Sequence, residues 1–130
     1  MDAERLRALV ERTALDLRAV ARVMEDDGVP RADVPGVLGW GLFLVTALWF
    51  PDLTRAALAA RRPGDDGRPG TPDLARLLGL ARLHAVPRLN TLGVALAVHE
   101  DVAPEDVPDV LAAALDALAA DRALEGALHL

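Results

Sequence analysis

The chain has no cysteine, lysine, serine, tyrosine, isoleucine or glutamine, and most of these absences remove some chemistry. Without cysteine there is no disulfide, no thiolate metal site and no zinc ribbon, and the redox compartment is left open. Without serine or cysteine the usual hydroxyl and thiol nucleophiles are missing. Without lysine there is no Schiff base or phosphate-loop lysine, and without tyrosine no phenolic acid. Catalysis would fall to three histidines, the carboxylates, arginine and threonine. Aromatic residues are scarce too: Trp40, Phe43, Trp49 and Phe50 are all there are.

What remains favours helix. Ala and Leu supply 49 of 130 positions, and both are strong helix formers. Val is plentiful but mostly falls at helical spacing, whereas Thr occurs five times. The expected fold is an all-α, single-domain bundle of five or six helices, a size that allows one core. The net charge is −6; residues 1–62 hold nine Arg against nine acids, and residues 63–130 five Arg against eleven acids. That acidic second half repels phosphate backbones and there is no basic stripe, so nucleic acid is not an expected partner. The first residues carry charges and lack an apolar signal core, so cytoplasmic residence is the expectation.

Leu6, Leu9, Val10, Thr13, Leu17, Val20 and Met24 share one face of a first amphipathic helix. Its other face carries Glu4, Arg7, Glu11, Arg18, Arg22 and Glu25, with Leu15 stranded among them. Gly28 and Pro30 end it. The uncharged run from Val34 to Pro51 is interrupted early by Pro35 and three glycines, which leaves too short an apolar core for a ~30 Å hydrocarbon layer. A buried central helix, with no membrane contact, is expected. Gly39 and Gly41 would let a neighbour approach it. A Pro/Gly/Asp-rich stretch at 63–71 reads as a mobile loop. Beyond it, the leucines of the helix around residues 73–86 point in most directions and imply near-complete burial. Pro87 is expected to break that helix, with Asn90 or Thr91 capping the next. The chain past about residue 122 is expected to be exposed or frayed.

Residues 29–38, VPRADVPGVL, return at 102–111 as VAPEDVPDVL, with six of ten positions identical. Each copy follows an acidic pair and opens a helix with Asp-Val-Pro, so each reads as a capped corner, with Asp33 satisfying first-turn amides. If the resemblance is structural, the halves 1–62 and 72–125 are two related helical hairpins joined by the loop. A functional alternative makes the corners paired acidic sites for a cation or a basic partner.

His84 and His99 are the only candidates for catalysis. Each shares an apolar face of its own helix, and across a break at Pro87 they could meet as a general base or half a metal site. No His-x-x-x-His or His-Glu-x-x-His spacing supports a metal centre, and no cofactor is implied. The favoured expectation is a protein–protein interaction module: an adaptor, regulatory subunit or inhibitor. Its partner would be basic and would meet Glu100, Asp101, Glu105 and Asp106. The alternative is a small enzyme or carrier holding an apolar molecule among Trp40, Phe43 and Trp49, with His84 or His99 as the polar group. A homodimer is a further arrangement the sequence permits.

Overall fold

The computed structural model describes the backbone of residues 1–59 and 72–128 and the side chains of residues 1–55 and 73–122. The expected loop at 63–71 and His129 lie outside the described residues. Within them the chain is all-α, as the composition requires. Its elements are α1 (Ala3–Asp26), α2 (Val34–Trp49), α3 (Pro51–Ala59), α4 (Pro72–Leu80), α5 (Val86–His99) and α6 (Val107–Leu128). A π-helical turn, Ala81–Ala85, joins α4 to α5 without a break. Counted as one rod, α4 and α5 bring the total to five helices among the described residues.

Proline at position 87 therefore does not end the helix. A proline in a helix lacks a donor and crowds the carbonyl four residues back. The π-turn widens the helix there, with Val86 N–H donating to the Ala81 carbonyl. Arg88 Nη1 donates to the His84 carbonyl at 2.7 Å. No new cap is needed: Asn90 Oδ1 accepts from Trp49 Nε1 at 2.8 Å, and Thr91 Oγ1 donates to the Pro87 carbonyl at 2.9 Å.

The two ten-residue corners adopt closely related conformations. α1 ends at Gly28, whose φ of 102° only glycine takes readily. Gly28 N–H donates to Glu25 and Val29 N–H to Met24 at 3.0 and 2.9 Å, the paired closure of a Schellman end. At the matching place stands Asp101, φ 52°, and Val102 N–H reaches back to Leu96. Each corner then makes one 3-10 turn, Arg31–Asp33 or Pro104–Asp106. Val29, Val34, Val37 and Leu38 are buried, and so are Val102, Val107, Val110 and Leu111. Asp33 does not cap the first turn; its carboxylate is held by Arg76, with Nη1 and Nη2 at 2.6 and 3.1 Å. Asp33 thereby raises the pKa of the Arg76 guanidinium, through the hydrogen bond first and its charge second.

The most extensive helix pairing runs between the two halves of the chain. α1 lies along α6, the last helix, and runs in the same direction. Leu9 packs with Val107, Val110 and Leu111 at one end, and Leu17 and Met24 with Ala114 and Leu118 at the other. Arg18 pairs with Asp121 at 3.5 Å, and the half-buried Glu25 with Arg122 at 2.6 Å. These pairs fasten α6 to α1 at residues 121 and 122, and the helical backbone continues to Leu128; the exposure expected past about residue 122 falls on side chains outside the described residues.

α2 crosses the bundle but is only half interior. Val34, Val37, Leu38, Gly41 and Val45 are buried, whereas Trp40 and Phe43, in edge-to-face contact at 5.7 Å, are half-exposed. By length and composition Arg31–Trp49 could cross a membrane, and only 28% of that span is buried. Gly41 sets the approach of the rod: a Cβ there would sit 2.5 Å from the Ala85 Cβ. At so close a crossing only alanine fits opposite. Ala81 and Ala85 are therefore fully buried, while Leu74, Leu77, Leu78 and Leu80 are half-exposed and Leu83 faces out. Gly39 has open space around it.

Candidate docking face

α1 and the α4–α5 rod lie side by side and both carry exposed apolar side chains. On α5, Pro87, Thr91, Val94 and Val98 fall within one sixth of a helical turn, and Leu83 joins them across the π-turn. All five are exposed, Leu83 at 70% and Val98 at 65%. α1 runs antiparallel beside them and contributes Leu15, 66% exposed, with Ala19 and Val23. Between the helices lies an open groove of about 590 Å³, lined by Ala19, Val20 and Val23 on one side and Leu83, Pro87 and Thr91 on the other. Contiguous exposed apolar surface of this kind marks interaction sites more often than scattered single residues do.

Sequence reasoning missed this face because it placed a helix break at Pro87. That break put Leu83 on one helix and Val94 and Val98 on another. Read through the proline on a single wheel, they align. Leu15 was noticed only as an isolated residue.

The histidines do not meet. Fifteen residues of continuous helix separate them, about 22 Å at 1.5 Å per residue. His84 is half-buried, and His99 is exposed at the rim of a shallow 200 Å³ hollow shared with Leu9, Thr13 and Leu96. His99, though exposed, lines that hollow beside Leu92, Ala95 and Leu96, the apolar neighbours that its helical wheel gives it. No cluster of three metal-ligating side chains is found among the described residues.

The three aromatics do not share a pocket either. Trp49 lies across the helix from Trp40 and Phe43, and its ring rests on Gly93, where a Cβ would meet it at 3.2 Å. A separate cleft of about 320 Å³ lies between α2 and α6, lined by Val34, Leu38, Gly39, Leu42, Leu115 and Leu118 with Asp116 and Arg122 among its polar groups. It includes neither histidine and none of the three aromatics.

Of the four acids expected to meet a partner, Glu100 is already engaged: its carboxylate pairs with Arg12 and its carbonyl accepts from Arg5. Asp101, Glu105 and Asp106 are exposed, just beyond the Val98 end of the stripe. No protein-family profile, curated protein or solved structure matches this chain.

Proposed function

We propose that the chain is a cytoplasmic protein–protein interaction module, without membrane contact, that docks a polypeptide on the joint outer face of α1 and α5. The observation that carries this reading is the set of exposed apolar side chains, Leu15 and Val23 on α1 and Leu83, Val94 and Val98 on the rod, on either side of the groove. Asp101, Glu105 and Asp106 supply a polar rim suited to a basic element.

The test is a photo-reactive benzoylphenylalanine in place of Val94, irradiated in cells, with the same residue in place of Gly39 as a control. A discrete covalent adduct to a polypeptide from position 94, absent from position 39, is the expected result. Finding no polypeptide adduct at 94 would defeat the reading.

A second reading rests on the α2–α6 cleft, whose 320 Å³ reaches the lower end of small-molecule sites. A carrier would show a co-purifying apolar compound by native mass spectrometry, lost when Gly39→Leu fills the cleft.

A further inference from the structure

Resting on the docking reading of this face, we infer that its occupant is a second copy of the same chain, bound antiparallel about a two-fold axis that passes beside Ala19 and Thr91. A two-fold interface is isologous: where one residue meets another of the second copy, the second meets the first in return, and only residues on the axis face their own image, so a helix paired antiparallel with itself needs a pattern that reads the same from both ends. Both helices of the face have one.

On α1, Leu15 and Val23 lie four residues either side of Ala19. The charges around them are mirrored with opposite sign: Asp16 and Arg22 are three residues either side, and Arg12 and Asp26 seven. All of these are exposed on the outer face. Antiparallel pairing about Ala19 therefore sets Leu15 against Val23 and Asp16 against Arg22 of the second copy, and Arg12 against its Asp26. The apolar pair and these two charge pairs are thereby matched, and where Glu11 falls against Asp27 the latter is already held by Arg88; a parallel pair would set like against like. Arg12 also holds Glu100, and a guanidinium has donors for both. Ala19 at the centre has no bulk to hold the helices apart.

On α5, Leu83 and Val98 are equidistant from a point between Asn90 and Thr91, and so are Pro87 and Val94. The two centres coincide in space, because the groove brings Ala19 and Val20 alongside Thr91 and Leu92. One axis thus satisfies both helices. Val94 and Val98 of the second copy then fall on the groove between Val23 and Leu83, and Arg82 comes near the exposed Asp101.

Sedimentation velocity and light scattering test this directly. The chain is expected to run at twice its 13.8 kDa mass at micromolar concentration. Val94→Asp should be a monomer with unchanged far-UV circular dichroism. Arg22→Glu and Asp16→Arg alone should each weaken the dimer about tenfold, and the double variant should return to within about twofold of the original, a rescue only antiparallel pairing supplies. Because the chain has no cysteine, Ala19→Cys should form a symmetric disulfide dimer on mild oxidation, and Gly39→Cys should not.

A chain that stays monomeric to about 100 μM, or a dimer indifferent to Val94→Asp and to both charge reversals, overturns the inference. The photo-adduct separates the two ideas. An adduct of twice the chain mass supports both. An adduct only with a different polypeptide, from a monomeric chain, sinks the self-pairing and leaves the docking reading standing, and no polypeptide adduct sinks both.

Discussion

Replacing Gly41 with alanine adds one methyl group where α2 crosses the π-turn. The new Cβ would lie 2.5 Å from the Ala85 Cβ and 3.1 Å from Leu89 Cδ1, against about 3.5–4.0 Å for an ordinary carbon contact. Leu89 can rotate, but both Cβ atoms are fixed to backbone, so the helices must separate by about 1 Å. Overpacking of this kind costs about 1–3 kcal/mol. Alanine returns up to about 1 kcal/mol in helix propensity, leaving a net loss near 1 kcal/mol. Gly39→Ala, two residues away with nothing within 4 Å, keeps the propensity gain and should stabilise by up to about 1 kcal/mol. The two variants should therefore lie about 2 kcal/mol apart in urea denaturation followed by circular dichroism. In melting temperature that is on the order of 10 °C. Adding Ala85→Gly to Gly41→Ala should recover the crossing, with a coupling energy of about 2 kcal/mol in the double-mutant cycle. If Gly41→Ala is as stable as Gly39→Ala, the close approach of α2 to the rod is wrong.

Asn90→Ala leaves Trp49 Nε1 without its acceptor and should cost about 1–2 kcal/mol, with a shift in tryptophan emission readable in a Trp40→Phe background. Asp101→Gly should stabilise by about 0.5–1 kcal/mol, and Gly28→Ala destabilise by about 1–2 kcal/mol, since both sites hold positive φ; equal effects at the two corners would argue against that conformation at Asp101. Arg122→Ala leaves half-buried Glu25 unpaired and should cost about 1–2 kcal/mol, between the values for exposed and buried pairs, with little change in 0.5 M salt. The Arg76–Asp33 pair raises the folded-state pKa of the guanidinium, so its contribution is whole below the unfolded arginine pKa and fades only as pH climbs through the raised one. The stability difference between the natural chain and Arg76→Gln should accordingly stay flat from about pH 7 to 10, and a step in that window would count against the pair.

The parts of the fold that could be read from residues alone are those set by local repetition. Leu9, Thr13, Leu17 and Met24 are buried where the α1 spacing puts them, although Leu6 is exposed because α6 does not extend over it. The corners were legible because a buried valine on each side of Asp-Val-Pro leaves little choice of path. What local rules could not supply was tertiary compensation. Pro87 breaks helices in isolation, yet a π-turn and Arg88 absorb it here. Leucine richness around residues 73–86 suggested burial, but in that stretch the fully buried positions are Ala81 and Ala85, with Ala85 at the Gly41 crossing. Chain order gave no sign that α1 would find its main partner in α6. The docking face was hidden for the same reason as the unbroken rod, and the aromatic pocket failed because Trp49 and Trp40 sit on opposite sides of one helix.

Pairing the first helix with the last also dictates when this protein can finish folding. About 80 residues separate Asp26 from Val107, and at 5–20 residues per second a ribosome takes roughly 4 to 16 s to deliver them. Through that interval the emerged Leu9, Leu17 and Met24 lack the surface that will cover them, which makes the nascent chain a natural client for chaperones. The same dependence means a stop codon anywhere before α6 yields a fragment whose opening helix has no resting place, so premature truncation should produce aggregation or degradation instead of a partly working domain.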